Sequence, residues 1–344
     1  MPILPKSCIL RLPPKSAKGR AAVLAVLMAL LFAALALSLR IGSRSYPLSA
    51  LWQAFRSREA ENVVWRVLLH VRIPRTLACL LAGAALAAAG ALTQAVLDNA
   101  MASPNIIGVN AGAGFFSLLA ALLWPGAAAA VPAGAFFGAL VTALCIYLLA
   151  LKAGLSRTTL ILAGVAVSSM LNAGTNTVTL LYPDISVGAA GFMVGGFSGV
   201  NLAALRSAAA YLLAGFLLAA LLAPELDVLS LGEESAAALG LHVGRTRFLA
   251  ILAAALLAGA AVSFAGLIGF VGLLAPHAAR RLVGGGNVPL LPACALLGAA
   301  FVLLCDTLAR ALFSPYELPV GIVLSLLGGP FFLWLLLRRG RGRL

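Results

Sequence analysis

"IPRTLACLLAGAALAAAGALTQAVL", Ile73 to Leu97, is the stretch on which the fold turns. Past Arg75 it carries no charge, and it is built mainly from Ala, Leu and Gly. A helix rises about 1.5 Å per residue, so the run is long enough to cross a hydrocarbon core roughly 30 Å thick. Its small residues, densest in "AGAALAAAGAL" (82–92), let neighbouring membrane helices approach closely. Similar runs recur at about 21–39, 105–124, 129–151, 159–181, 205–223, 248–267, 268–283, 289–312 and 319–337, making about ten candidate spans. A further short helix fits the Gly-rich piece "GAAGFMVGGFSGV" before the run at 205–223.

Composition agrees. The chain has 344 residues, 62% hydrophobic and 10% charged, with a mean hydropathy of +1.07. Soluble domains carry nearer a quarter charged residues. A spanning β-barrel would alternate polar and apolar positions, and these runs are apolar all round. The expected fold is therefore an all-α polytopic membrane protein of about ten transmembrane helices. It forms one domain over 21–337, between basic tails at 1–20 and 338–344. The tail "KSCILRLPPKSAKGR" followed by Ala21–Leu39 looks like a signal peptide, but its apolar run is too long, so an uncleaved first helix is expected.

The net charge of +14 does not point to nucleic acid, because the basic residues punctuate the apolar runs in small groups. With both termini cytoplasmic, every Lys (6, 15, 18 and 152) falls inside, together with Arg157, Arg245, Arg247, Arg280 and Arg281. That is the orientation the positive-inside rule expects. The outer side keeps Arg40, Arg44, Arg56, Arg58, Arg66, Arg72, Arg75, Arg206 and Arg310, which fits either headgroup contacts or a surface that docks something acidic.

No enzyme constellation emerges. The five cysteines have no metal-ligand spacing, and His70, His242 and His277 lie apart with no carboxylate or Cys at ligand distance in sequence. No Lys follows a Gly, so a phosphate loop for ATP is missing. No metal or cofactor is expected on this chain; ATP and Mg²⁺, if used, belong to partner subunits. Asp306 is the most interior acid, and Arg310 lies one turn on, so an i,i+4 pair would ease the burial of both.

Between two apolar runs lies a polar segment, 225–247, holding Glu225, Asp227, Glu233 and Glu234 out of only ten acids in the chain. Its "ESAAALG" has the spacing E-A-A-x-x-x-G. Glu and Ala favour a short helix, and Gly232 and Gly240 let the chain turn at both ends. Such a helix outside the bilayer could press on a soluble partner and pass on its motion.

This segment is one of several blocks that, in this order, resemble the FecCD-type permease subunits of ABC importers for iron-siderophores, haem and cobalamin. The others are "RIPRTLACLLAGAALAAAGALTQAVLDNAMASPNIIGVNAGAG" (72–114), "LSRTTLILAGVA" (155–166), "AGLIGFVGLLAPHAARRLVG" (265–284) and "LLCDTLARALFSPYELPVGIVLSLLGGPFFLWLL" (303–336). The resemblance implies a ten-helix subunit paired with a second copy or a homologue, two ABC ATPase subunits inside, and a substrate-binding protein outside. It implies ATPase coupling through Gly232, Glu233, Glu234, Ala236, Ala237, Leu239 and Gly240. Arg72, Arg75 and Arg310 match outward arginines that pair with glutamates of the binding protein.

The family's cytoplasmic gate falls on Asn99-Ala100-Met101-Ala102 and on Ser156-Arg157-Thr158. Ala100 stands where Pro is usual and relaxes a fixed turn. Arg157 stands where small hydroxyl residues are common, so gating and positive-inside anchoring are equally good readings of it. Ser168, Ser169, Asn172, Asn176 and Ser263 are candidates to line the pathway; each fits a helix–helix hydrogen bond equally well. The implied activity is ATP-driven inward movement of a metal chelate, iron-siderophore first, then haem or cobalamin. The competing reading is an ion-coupled secondary transporter, which would want mid-membrane acids, and Asp306 is the main candidate.

Overall fold

The computed structural model describes residues 16–42, 46–58, 62–154, 156–312 and 316–340. Lys6, Arg11, Lys15, Arg44, Arg341 and Arg343, with most of both basic tails, lie outside the described residues. In chain order the helices are α1 (Ala17–Arg40), α2 (Leu48–Ser57), α3 (Val63–Val67), α4 (Ile73–Leu97), α5 (Val109–Leu123), α6 (Ala130–Lys152) and α7 (Arg157–Leu181). Then follow α8 (Pro183–Val194), α9 (Leu202–Leu229), α10 (Glu233–Ala238), α11 (Val243–Ala265), α12 (Val271–Val283), α13 (Asn287–Leu312) and α14 (Val320–Gly340).

Each apolar run of the sequence falls on a helix, but the run at 73–97 is only part of its element. A π-helical turn at Leu68–Arg72 joins α3 to α4, giving a continuous span from Val63 to Leu97. Pro74 has no N–H to return to the carbonyl four residues earlier, and the widened turn absorbs that loss. Asn62 starts the element, its Oδ1 accepting from the Val64 N–H at 2.9 Å. The polar residues Arg66, His70 and Arg72 hid this extension from a reading of apolar runs.

Among the described residues, seven helices are long and apolar enough to cross a membrane: α1, the Val63–Leu97 element, α6, α7, α9, α11 and α13. Shorter apolar helices are α5, α8 and α14 up to Trp334. The expected span at 268–283 is not among them. Gly266, at φ 72°, ends α11, and α12 has 13 residues, which reach about 20 Å. The Gly-rich piece does contribute a short helix, since its first residues complete α8.

α4 lies at the centre, with α11, α12 and α13 packed on it. Backbones meet at two crossings. A Cβ on Gly83 would stand 2.3 Å from the Gly298 carbonyl oxygen in α13, and one on Gly90 would stand 1.9 Å from that of Gly272 in α12. The rest of the α4 core is mainly Ala, including the fully buried Ala78, Ala82, Ala85 and Ala89. Lipid tails offer no hydrophobic drive for helices to associate, so close van der Waals approach between small residues supplies it.

Candidate functional site

Polar side chains gather at the two ends of the bundle and along one helix between them. At the first end, α9 runs on past Pro224 to Leu229, carrying Glu225 and Asp227 with it. Glu225 Oε2 accepts from the Thr246 hydroxyl at 2.7 Å, and Asp227 Oδ1 accepts from Asn287 Nδ2 at 2.9 Å. α10 follows between Gly232 (φ 105°) and Gly240 (φ 85°), neither of which would meet a neighbour if it carried a Cβ. These glycines are required by backbone geometry, not by space. Ala236 is buried against the bundle, while Ala237, Ala238 and Leu239 face outward together with Glu234. Glu233 pairs with Arg247, a buried residue of α11, and the Tyr147 hydroxyl donates to the Gly244 carbonyl at 3.1 Å. α10 is thus a short pedestal held by side-chain contacts from behind, with a small apolar face left open.

Beside it, α4 ends at Asp98, whose φ of 45° turns the chain out of the helix. Asn99 Oδ1 accepts from the Met101 N–H at 3.0 Å, closing the turn after α4. Ser156 caps α7, its hydroxyl accepting from the Thr159 N–H at 3.0 Å. Arg157 Nη1 then reaches Asp98 Oδ2 at 2.7 Å and ties the start of α7 to the end of α4. Arg280 Nη2 donates to Gln94 Oε1 at 3.1 Å, adding α12 to the same corner.

At the opposite end, Arg75, Asp306, Arg310 and Glu317 form a charged cluster among α1, α4, α13 and the connection into α14. Arg75 donates from Nε (3.1 Å) and Nη2 (2.9 Å) to Asp306, and from Nη1 to Glu317. Arg310 Nε lies 2.9 Å from Asp306 Oδ2, and its Nη2 donates to Ser38 at 3.0 Å. Arg72 donates to the carbonyls of Leu39 and Arg40 that end α1, and its guanidinium lies over the Tyr46 ring.

Between the ends, α7 is the least covered of the spans, with most of its apolar stretch exposed, whereas most of the α4 element is buried. Thr158, Val165, Ser169, Asn172, Asn176 and Thr179 recur at helical spacing on its exposed side.

The family model described as the FecCD transport family matches residues 30–338. The chain belongs to the FecCD transport family. It is 39% identical over 326 residues to the ferric enterobactin permease FepD of Escherichia coli, covering 94% of this chain and 97% of that one. It is 34% identical over 339 residues to the hemin permease HmuU of Yersinia pestis, covering 97% and 98%. A solved structure described as an inward-facing metal-chelate type ABC transporter superposes with a TM-score of 0.82 at 30% identity, covering 92% of this chain and 99% of that one. The protein is accordingly a multi-pass membrane permease of an ABC transport family, and that family is one of transporters, not enzymes.

Against this FecCD frame the sequence expectations divide. α10 forms where a coupling helix is expected, though Glu233 is turned inward to Arg247 and only Glu234 stays free of the bundle face. Among the gate candidates, the Asp98 bridge brings Arg157 to the turn that holds Asn99 and Met101. Arg157 is the cationic half of a bridge to Asp98. The docking candidates are enclosed by their own chain. Arg72, Arg75 and Arg310 are 5%, 6% and 4% exposed, because their own chain supplies acceptors for them. The arginines left exposed at that end are Arg40, Arg56, Arg58, Arg66 and Arg206.

The pathway candidates also separate. Ser169, Asn172 and Asn176 share the open face of α7. Ser168 points the other way, close to Gly108 in the turn before α5. Ser263 sits on α11, its hydroxyl donating to the Ala260 carbonyl at 2.8 Å, beside a cavity walled by α6 and α9. The Asp98–Arg157, Gln94–Arg280 and Asp227–Asn287 contacts are not legible in the sequence. Their partners lie 59 or more residues apart, and nothing local announces them.

Proposed function

We propose that this chain is one membrane-spanning half of an ATP-driven importer that carries a metal chelate inward by alternating access. The observation that carries the reading is the open face of α7. Asn and Ser side chains turned toward lipid would lack hydrogen-bond partners, which hydrocarbon cannot supply. A second copy of the chain, facing this one across α7, encloses Ser169, Asn172 and Asn176 in a wet passage instead. The bundle end bearing α10 faces the cytoplasm of a bacterial inner membrane, as the lysine distribution favours. There the outward face of Ala237, Leu239 and Glu234 meets two ABC ATPase subunits, which bind ATP and Mg²⁺.

At the outer end, the exposed arginines Arg40, Arg56, Arg58, Arg66 and Arg206 give an acidic substrate-binding protein its landing field. Iron-siderophore is the first choice of cargo, with haem and cobalamin next; relatives similar over most of their length carry ferric enterobactin and hemin. An ion-coupled carrier gains no support from Asp306, whose oxygens are already held by two guanidiniums.

The test is uptake of a radiolabelled ferric siderophore into liposomes holding the permease, its ATPase subunits and the binding protein. Uptake should require ATP, and Asn172→Leu with Asn176→Leu should abolish it while leaving assembly of the complex intact. Uptake driven by an ion gradient without ATP, or full uptake by the double variant, would refute the proposal.

A further inference from the structure

Away from α7, the bundle opens a second time between α6 and α9. Both helices pack on α11. A Cβ on Gly259 of α11 would lie 3.2 Å from the Ala139 Cβ of α6, and one on Gly215 of α9 would lie 2.7 Å from Leu257 Cγ of α11. Beyond these crossings, toward the outer end, α6 and α9 part around a cavity of about 460 Å³. Ala133, Ala204 and Ala208 on its walls are too short to fill it, and Ser263 of α11 lies at its floor. The rings of Phe136 and Tyr211, with centroids 4.2 Å apart, bridge α6 and α9 and close its inner end. Because α6 packs on α7 as well as on α11, it stands between this cleft and the open face of α7.

Depth, lining and charge together say what fills it. From Asn201 at the mouth to Tyr211 at the inner end, α9 rises about 15 Å. That is the depth of one leaflet in a hydrocarbon core roughly 30 Å thick, so a soluble partner would have to enter the bilayer to reach the bottom. Among the described residues that line the cleft none is charged, and its inner half is aromatic, with Phe136, Phe137 and Tyr211. An apolar hollow of this size left empty forfeits the dispersion contacts that an acyl chain restores. Arg206 is exposed on α9, next to the cavity-lining Ser207, and no carboxylate among the described residues pairs with it.

We propose that this cleft is the binding site of one phospholipid from the outer leaflet. One acyl chain enters between α6 and α9 as far as the Phe136–Tyr211 pair. Its phosphate is held by the Arg206 guanidinium, which reaches up along the helix toward the headgroups, and by the side-chain amide of Asn201. Asn201 Oδ1 already accepts from the Ala204 N–H at 2.9 Å, so its Nδ2 is the group left to donate. The other four exposed arginines remain for the docking protein. The lipid acts as a wedge that completes the packing of two spans which otherwise meet only through α11 and one ring pair. The inference needs the outer end of the bundle to lie in a bilayer, and it is independent of what the passage carries.

The experiment uses the full permease–ATPase complex, stripped of lipid in detergent, with phosphatidylglycerol as the probe. Native mass spectrometry should count one tightly held phosphatidylglycerol per permease chain, and its addition should raise the melting temperature. Diacylglycerol, which offers the same chains without the phosphate, should bind about fivefold more weakly, the scale of one basic group at an anionic membrane surface. Phosphatidylglycerol should bind Arg206→Gln with the same loss. Ala133→Leu with Ala204→Leu fills the cleft and should abolish both the retained lipid and the rise in melting temperature. Should that variant fail to assemble, phosphatidylglycerol brominated on its chains tests the site directly, by quenching the fluorescence of Tyr211→Trp beyond the level seen in the wild type. No retained lipid in the wild type, equal retention by the filled variant, or no added quenching overturns the site. Equal affinity for the two lipids, or full affinity in Arg206→Gln, overturns the phosphate contact and with it the choice of a phospholipid. A filled variant that keeps its lipid but loses the binding protein would make the cleft a protein surface and refute the proposal.

Discussion

Neutralising Asp306 is the sharpest test of how the outer end is held. Asp306 has no exposed surface and receives Arg75 Nε and Nη2 and Arg310 Nε within 3.1 Å. Asp306→Asn keeps the size but removes the anion. Arg75 then retains Glu317, whereas Arg310 keeps only neutral acceptors: the hydroxyls of Ser38 and Thr307 and the Ile41 carbonyl. Breaking a buried ion pair from one side typically costs about 3–5 kcal/mol, because the surviving charge stays buried without a partner. The surviving hydrogen bonds of Arg310 put the expectation at the lower bound, about 3 kcal/mol, or roughly a hundredfold in the folded-to-unfolded ratio. The double variant Asp306→Asn with Arg310→Met removes both members of one pair and should recover most of that loss. The assay is loss of monodisperse protein after heating in detergent, read by size exclusion for the wild type, both single variants and the double. A single variant that melts with the wild type, or a double variant as damaged as the two singles summed, would refute the picture of a charge-balanced buried cluster.

Further outcomes follow from other contacts. Gly90→Ala should lower the melting temperature by forcing α4 off α12, at about 1–3 kcal/mol for overpacking. Gly188→Ala, whose Cβ meets nothing within 4 Å, should be neutral in the same melt. Arg157→Gln breaks a partly exposed bridge worth about 1 kcal/mol or less, so stability should barely move. ATP hydrolysis without binding protein should rise in that variant as α4 and α7 come apart, and the swap Asp98→Arg with Arg157→Asp should restore the basal rate. Tyr147→Phe removes the bond to Gly244 and should cost about 1 kcal/mol. Glu233→Gln removes the carboxylate that pairs with Arg247 and should loosen α10, lowering the ATPase stimulation produced by binding protein while leaving assembly intact.

What the sequence disclosed and what it withheld divide by range. The Asp306–Arg310 contact was legible because both residues lie on one helix, a turn apart, and helical geometry alone brings them together. The burial of Arg75 was not, because its acid partner Asp306 stands 231 residues away. Arginines in a loop-proximal block read as outward when their acceptors come from distant helices. The same holds for Arg157, which looked misplaced in its block until Asp98 supplied a reason for it. α10 was readable since Gly232 and Gly240 bracket it locally, but the inward turn of Glu233 depends on Arg247 across the α10–α11 turn. Along α7, polar residues could be picked out by type. Only the packing of Gly164 on the Ile106 carbonyl and Gly174 on the Phe115 ring fixes which side of the helix is covered, and so moves Ser168 from one face to the other.

The backbone crossings of α4 have a consequence for how such a protein can change over time. At Gly83 and Gly90 almost any added atom collides with the main chain of another helix, so the centre of the bundle is nearly closed to substitution. The open face of α7 is exposed among the described residues, and a residue there can be exchanged without disturbing the core. A lineage can thus retune what its passage admits by rewriting a handful of positions on one helix, while the frame that must fold in the membrane is inherited unaltered.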